Sequence, residues 1–469
     1  MEINTPNYEN LAHQSMQANI KLNRDIYAGQ ERLRNATYLT KYEGESTDGY
    51  DLRLKTSYLN NKLSEKIATS NGLILNKPIT ATDAPEYISN DIDGNNSTID
   101  QFALQVLKDG EIDGHSFILV DSQTTTPENL AAQEANNIHP YWIIILASQV
   151  INWKTDNING QQKLTQITIK EVITEDNGKY GEAQTEQYKV YFLNNNIVTY
   201  ELWRVDAKGN LAIHQEETAT SFTTIPLIPF YANRVANMVS RPPFLNVANN
   251  TLNAFQLGSQ KNRALKQVGD PDKAIFSNDI QSQLQSEDND SGVKETTLTF
   301  GADITQVFGT EDRYEFIEPT GKGVELLGLE IDRIEKFVDG IGAELNEQSN
   351  MSATEASIRN SKATAEDVVF SINLEQSLNE ALQLTKQVDS QISENAYISI
   401  NREFAKSELS DQTLTILNTM VMSGNLSREE FLKSIGSGEL PKFLTEEDIA
   451  EEIERLQQEG VNAIEEIEE

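Results

Sequence analysis

The sequence predicts an α+β protein, with helices at both ends of the chain and a mostly antiparallel sheet between them. Three observations carry this reading. Apolar residues recur at helical spacing before about residue 110 and again beyond Pro242. Between these regions lie five short segments rich in Ile, Val, Tyr and Trp, separated by Asn-, Gly- and Asp-rich turns: His115–Asp121, Tyr141–Ala147, Leu164–Ile173, Glu186–Leu193 and Ile197–Val205. The run Thr224-Ile-Pro-Leu-Ile-Pro229 then closes the region with a stretch that two prolines keep extended.

The first ~75 residues read as helical: Leu59, Leu63 and Ile67 fall on one helix face, with Lys62 and Lys66 turned elsewhere. This stretch is locally basic (Arg24, Arg32, Arg34, Lys41, Arg53, Lys55, Lys62, Lys66), as expected of a solvated face pairing with acidic neighbours or of a contact between subunits. A second stripe, Ile99, Phe102, Ala103, Val106 and Leu107, is expected to end at Gly110. From Pro242 a polar helix of about 25 residues runs to Gly269-Asp-Pro271, a length of roughly 35–40 Å at 1.5 Å per residue. Another runs from Gly323 to Leu345. Its apolar positions Val324, Leu327, Ile331, Ile334, Val338, Ile341 and Leu345 step by alternating threes and fours, a seam sustained over three heptads. The acidic, turn-rich insert between these helices carries one short strand signal at Thr296–Phe300, so the pair reads as a stalk with a tip.

Beyond the polar loop Asn346, Glu347, Gln348, Ser349, Asn350 and Met351, Ser352 and Glu355 form a capping box. The helix they open is expected to reach Ile392, through Val369, Leu374, Leu378, Leu382 and Val388. The final part reads as small helices: a Leu414–Leu417–Val421 stripe, a Ser427/Glu430 capping box and a helix capped by Thr445.

Composition narrows the function. The chain of 469 residues holds 38 basic and 73 acidic side chains, a net charge of -35. A domain that grips nucleic acid shows a basic footprint, and this one is the reverse. There are no cysteines, which excludes disulfides and thiolate chemistry. Neither a signal peptide nor a membrane span is expected: the longest apolar run, Tyr141–Ala147, is far too short to cross a bilayer. His13, His115, His139 and His214 form no metal-binding pair, and no phosphate-binding loop is present; Gly321-Lys-Gly323 reads as a loop and helix start. Ser89-x-Asp91-x-Asp93-Gly94 with Asp100 resembles a Ca²⁺ loop, but its first position lacks a carboxylate, and it reads as an acidic turn. No catalytic, cofactor-binding or metal-binding residues are assigned, and the chain is not expected to be an enzyme.

Three stretches carry a resemblance to the portal proteins of tailed bacteriophages, a family first catalogued as a domain of unknown function. They are Arg34–Thr40 with Glu43-Gly-Glu45, Tyr50, Arg53 and the Asn60–Pro78 helix; Ser352–Ser357; and Ile398-Ser-Ile-Asn-Arg-Glu-Phe404 with Leu414 and Ser423–Glu430. In the third, Glu403 stands where the family pattern has Asp. The resemblance implies a homo-oligomeric ring, usually of twelve subunits, at one capsid vertex of the virion. Such a ring is the conduit for DNA packaging and ejection. It touches double-stranded DNA transiently and without sequence preference, and docks the major capsid protein, the terminase large subunit and a head–tail adaptor. By the same resemblance, residues 1–238 correspond to the wing, 239–268 to the first stem helix, 269–320 to the clip and 321–345 to the second stem helix. Residues 346–352 correspond to a tunnel loop facing DNA, 353–395 to a long connector helix and 396–469 to a helical crown. Another head–tail connector or a minor capsid protein is the alternative; adaptors are usually much shorter and need no stalk.

Overall fold

The structure is a computed structural model that describes residues 5–122, 139–158, 160–206, 209–269, 272–276, 313–317, 321–340, 353–402, 411–423, 425–437 and 455. It is α+β, as the sequence predicts.

Four helices open the chain: α1 (Leu11–Tyr27), α2 (Gln30–Asn35), α3 (Thr47–Thr56) and α4 (Lys62–Ile74). Each start but that of α2 is fixed by a side-chain oxygen that accepts from a first-turn amide: Asn10 for α1, Ser46 for α3 and Asn61 for α4. Leu59 therefore precedes α4 rather than belonging to it, although it is buried beside Leu63 and Ile67. Lys66, expected to face outward, is buried, with its ammonium 5.3 Å from the centre of the Phe244 ring.

Strand β1 (Thr80–Thr82) and helix α5 (Glu86–Asn90) lead to α6 (Ile99–Asp113). A full capping box starts α6: Gln101 N–H donates to Thr98 Oγ1, and the Gln101 side-chain oxygen accepts from Thr98 N–H. This helix does not stop at Gly110. It continues to Asp113 and ends on Gly114, whose φ of 94° suits a left-handed cap. Gly110 is needed for another reason: a Cβ there would collide with the Phe230 ring.

The strands form two principal sheets rather than one. The inner sheet has the order β3-β2-β9, from β2 (His115–Asp121), β3 (Tyr141–Leu146) and β9 (Leu227–Tyr231). All its pairs are antiparallel, with Phe117 opposite both Ile145 and Pro229. The second is a meander in sequence order: β4 (Val150–Ile158), β5 (Gln161–Asp176), β6 (Glu182–Asn194), β7 (Ile197–Val205) and β8 (Leu211–Ala219). Its two edge strands, β4 and β8, have no counterpart in the sequence reading; their apolar residues crowd towards the strand start, at Val150, Ile151 and Trp153 and at Leu211, Ala212 and Ile213, and the rest is largely polar. A small hairpin of β10 (Arg234–Ala236) and β11 (Val239–Ser240) follows.

Then come α7 (Leu245–Gly269), the antiparallel pair β12 (Asp272–Phe276) and β13 (Arg313–Ile317), α8 (Lys322–Asp339) and α9 (Ala353–Lys386). The expected strand at Thr296–Phe300 lies outside the described residues, as do the Ser352 cap and the Thr445 helix. Helix α9 ends before Val388 and Ile392. Its last turn tightens as Gln387 and Val388 N–H donate to the carbonyls of Leu384 and Thr385. Asp389, which accepts from Tyr87 Oη at 2.6 Å, then turns the chain.

Helix α9 packs into the body of the protein. Leu374, Leu378, Ala381 and Leu382 are buried in the same core as α4, α6 and the inner sheet. Trp142 Nε1 of β3 donates to Thr385 Oγ1 at 2.8 Å. The outer edge of β9 is satisfied from α9, since Asn373 donates to the Tyr231 carbonyl and Ser377 to that of Pro229. The edge position of β9 is what lets a strand containing proline, which lacks a donor, be tolerated there.

The segment after α9 is likewise not purely helical. Strand β14 (Tyr397–Ser399) pairs with β1. Asn379 of α9 reads its backbone, donating to the Ile398 carbonyl at 2.7 Å and accepting from Ile398 N–H at 2.9 Å. Helices α10 (Asp411–Met422) and α11 (Arg428–Ser437) follow, and Ser427 Oγ accepts from Glu430 N–H as the start of α11. Among the described residues no helix is long and apolar enough to cross a membrane.

Candidate functional site

The most distinctive feature is the α7–α8 pair. The chain leaves the core along α7, turns through β12 and β13, and returns antiparallel along α8. Its root is apolar: Phe244, Val247, Ala248 and Phe255 on one side and Val338 on the other join the main core. Further out, Gly328 leaves room for the Lys261 side chain, whose Nζ would lie 3.2 Å from a Cβ at that position.

The predicted seam is distributed as follows. Ile334 and Val338 are buried, and Val324, Leu327 and Ile331 are half-buried. These five share a helix face with Gly328, the face turned to α7 of the same chain. Ile341 and Leu345 lie outside the described residues. So do all six loop positions, Asn346, Glu347, Gln348, Ser349, Asn350 and Met351.

A second apolar set on α8, which the heptad count passes over, faces away. Leu326 is 66% exposed, Leu329 59% and Phe337 55%. With Arg333 they follow a spacing of three, four and four. Arg333 holds Glu330 on this outer face through two hydrogen bonds of 2.8 and 2.6 Å. Leu265, near the outer end of α7, is also exposed. A soluble helix whose apolar residues lie on two faces has one face too many for a single partner.

The stalk is anchored at its root by a buried arginine. Arg53 of α3 makes two charge-assisted bonds to Glu45, both 2.9 Å, and donates to the Thr40 carbonyl and to Ser259 Oγ of α7. Its guanidinium lies over the rings of Tyr42 at 4.3 Å and Tyr50 at 5.3 Å. Arg53, foremost, holds the Glu45 carboxyl down at about 2. Arg263 of α7 also lies over the Tyr42 ring, 5.3 Å from its centre. On α8, Asp339 pairs with Lys62 at 3.0 Å and Glu335 accepts from Asn60 at 2.9 Å. Glu45, Tyr50 and Arg53 stand out in the sequence only as part of the family-like opening stretch. Nothing in their spacing announces a salt-bridged hub.

The histidines gather into no cluster, although His13 is near enough to His115 to disfavour its charge. His115 is buried against Ser240 Oγ and stacked on Tyr231, and burial pushes its imidazole down to about 3, so it stays neutral. Burial also lowers His13. His139 stacks on Tyr87 with ring centres 4.4 Å apart, and His214 sits on β8. In the acidic turn, Asp91 and Asp93 accept from the amides of Asn96, Asn95 and Ser97, and Asp100 accepts from Ile79 N–H. Those oxygens shape the backbone. Among the described residues no group of three or more His, Asp or Glu side chains could hold a metal ion.

Residues 243–388 match a family model described as a domain of unknown function (DUF4055). The match spans α7, the β12–β13 pair, α8 and α9. Among solved structures, the chain is similar to one in the virion of a native gene transfer agent particle, at 9% identity and a TM-score of 0.38. That similarity covers 86% of this chain and 97% of the other. No curated protein matches the chain.

Proposed function

We propose that this chain is a tailed-bacteriophage portal protein. In this reading copies of it close a ring, of twelve subunits by family resemblance, at one capsid vertex. The ring is a passive conduit for DNA packaging and ejection, a docking site for the terminase large subunit and a head–tail adaptor, and a component of the virion. It performs no catalysis of its own. The observation that carries the reading is the stalk: an antiparallel helix pair rooted in an α+β body and tipped by two paired strands. One α8 face is spent on its own chain, and a second apolar face, Leu326, Leu329 and Phe337, is left for another copy.

The charge supports a conduit rather than a clamp. Each phosphate neutralised by a lysine or arginine adds affinity and slows sliding, and a chain with a net charge of -35 has little such grip to offer. Force on DNA must then come from a docked motor, for which residues 269–320, which include the β12–β13 pair, are the proposed contact.

The test is an averaged electron-microscopy view of the purified full chain, together with native mass spectrometry. The expected result is a closed ring with an axial channel. A monomer at every concentration and salt tried, with and without capsid protein present, overturns the proposal.

A further inference from the structure

The core contains two carboxyl groups joined by one hydroxyl. Ser70 Oγ, on α4, lies 2.7 Å from Glu111 Oε1 on α6 and 2.6 Å from Asp367 Oδ1 on α9. All three residues are buried; Ser70 and Glu111 are fully enclosed and Asp367 is 1% exposed. The second oxygens, Glu111 Oε2 and Asp367 Oδ2, have no hydrogen-bond partner.

A serine hydroxyl carries one proton. It can donate to one of these oxygens, but it cannot donate to both at such distances. The other contact must then run in reverse, with a protonated carboxyl donating to Ser70 Oγ. We propose that Glu111 and Asp367 share a single retained proton at neutral pH, carried by Glu111, and that the chain Glu111–Ser70–Asp367 is a proton-dependent clasp holding α9 to α4 and α6.

The surroundings agree with one charge rather than two. Lys66 of α4 is the cation facing the pair, and it also faces Glu366 of α9. Among the described residues, Asp109 of α6 and Tyr27 and Arg24 of α1 are further titratable groups nearby: Asp109 and Glu111 raise the Tyr27 hydroxyl, while Arg24, which is paired to Asp109 at 2.9 Å, lowers it and leaves Lys66 as the cation for the pair. One ammonium can balance one carboxylate. A second buried carboxylate would stand uncompensated, which favours holding its proton. Burial accordingly pushes Glu111 well above its ordinary 4.5, with Asp367 adding to the rise, and burial raises Asp367 too.

The consequence is a stability that depends on pH. Glu111 in the folded chain holds a proton that the unfolded chain releases near its ordinary value of 4.5. Above that value the folded state binds more protons than the unfolded one, so stability falls as pH rises towards the raised folded value. Once the proton leaves, the clasp opens into two repelling carboxylates, and the first half of α9 loses its tie to α4 and α6.

The experiment compares the full chain with Glu111→Gln and Asp367→Asn by denaturant unfolding from pH 5 to pH 9. Gln at position 111 donates to Ser70 without a titrating proton. Relative to Glu111→Gln, the natural chain is expected to lose up to about tenfold in its folding equilibrium per pH unit within the window, the slope of one proton. Infrared difference spectra of the natural chain at neutral pH are expected to contain a protonated-carboxyl band that Glu111→Gln removes. Parallel stability curves for the natural chain and Glu111→Gln overturn the clasp. If Glu111→Gln does not fold, the natural chain and Asp367→Asn decide: a natural chain without the protonated-carboxyl band at neutral pH overturns it, and a band that is lost at lower pH in Asp367→Asn than in the natural chain supports it, because Asp367 adds to the rise of Glu111.

Discussion

Helix α9 and helix α8 are neighbours in the chain, and they solve the same problem in opposite ways. Helix α9 buries Leu374, Leu378, Ala381 and Leu382 completely and spends its polar side chains inward: Asp367 on Ser70, Asn373 and Ser377 on β9, Asn379 on β14, Thr385 on Trp142. Helix α8 buries only Ile334 and Val338 and leaves Leu326, Leu329 and Phe337 more than half exposed. Over its described side chains the first helix buries most of its apolar residues within one chain, leaving Val369 and Ile372 exposed. The second has apolar surface beyond what one chain covers. The difference separates residues whose loss unfolds the protein from residues whose loss spares the fold and shows only in assembly.

Substitutions can break or sharpen this contrast. The largest effect is expected for Leu378→Ala, which empties a fully enclosed site in α9; it should lower stability by about 2–5 kcal/mol in denaturant unfolding. A loss below about 1 kcal/mol would mean that α9 is not a core helix.

Arg53→Ala comes next. It leaves Glu45 enclosed without its partner and frees Ser259 of the stalk root, at a cost of about 3 kcal/mol. The pair also gives a pH signature. Because Arg53 depresses Glu45 from 4.5 to about 2, its contribution is present above the ordinary value and is lost as pH falls through that interval. Arg53→Ala should therefore flatten the acid limb of the stability curve, and an unchanged limb would remove Glu45 from the hub.

Thr98→Ala deletes the α6 cap and should cost about 1 kcal/mol, measured as a lower denaturant midpoint at constant slope.

The smallest effect on the isolated chain, within about 0.5 kcal/mol, is expected for Leu329→Glu on the outer face of α8. The same substitution should abolish the proposed ring in native mass spectrometry. Ile331→Asp sharpens the point. Its side chain is half-buried on the face towards α7, so it should weaken the chain itself as well as any assembly. If Leu329→Glu destabilised the chain more than Ile331→Asp did, the assignment of inner and outer faces would be reversed.

Much of this architecture is legible from periodicity. His115–Asp121 and Ile197–Val205 are strands at the bounds the sequence predicts, and the α7 and α8 positions follow from their apolar spacing and from Gly269. The readings that failed did so for identifiable reasons. Gly110 looks like a helix end because glycine usually marks one, yet it is there to admit Phe230. Lys66 looks like surface because lysine usually is, yet it faces a carboxyl pair drawn from two other helices. The α8 seam was found by its repeat, but a repeat has no direction: it cannot say whether α7 or a second molecule faces it.

The sequence by itself determined the α+β class, the order of body, stalk and long helix, the acidic charge and the lack of any cysteine chemistry. Those depend on local spacing and on composition, which need no neighbours. The tertiary structure decided which apolar face is spent within the chain, that α9 is core, and that Glu111, Ser70 and Asp367 meet. Ser70 and Asp367 are separated by 297 residues, and only the folding of α4, α6 and α9 onto one core brings their oxygens within hydrogen-bond reach.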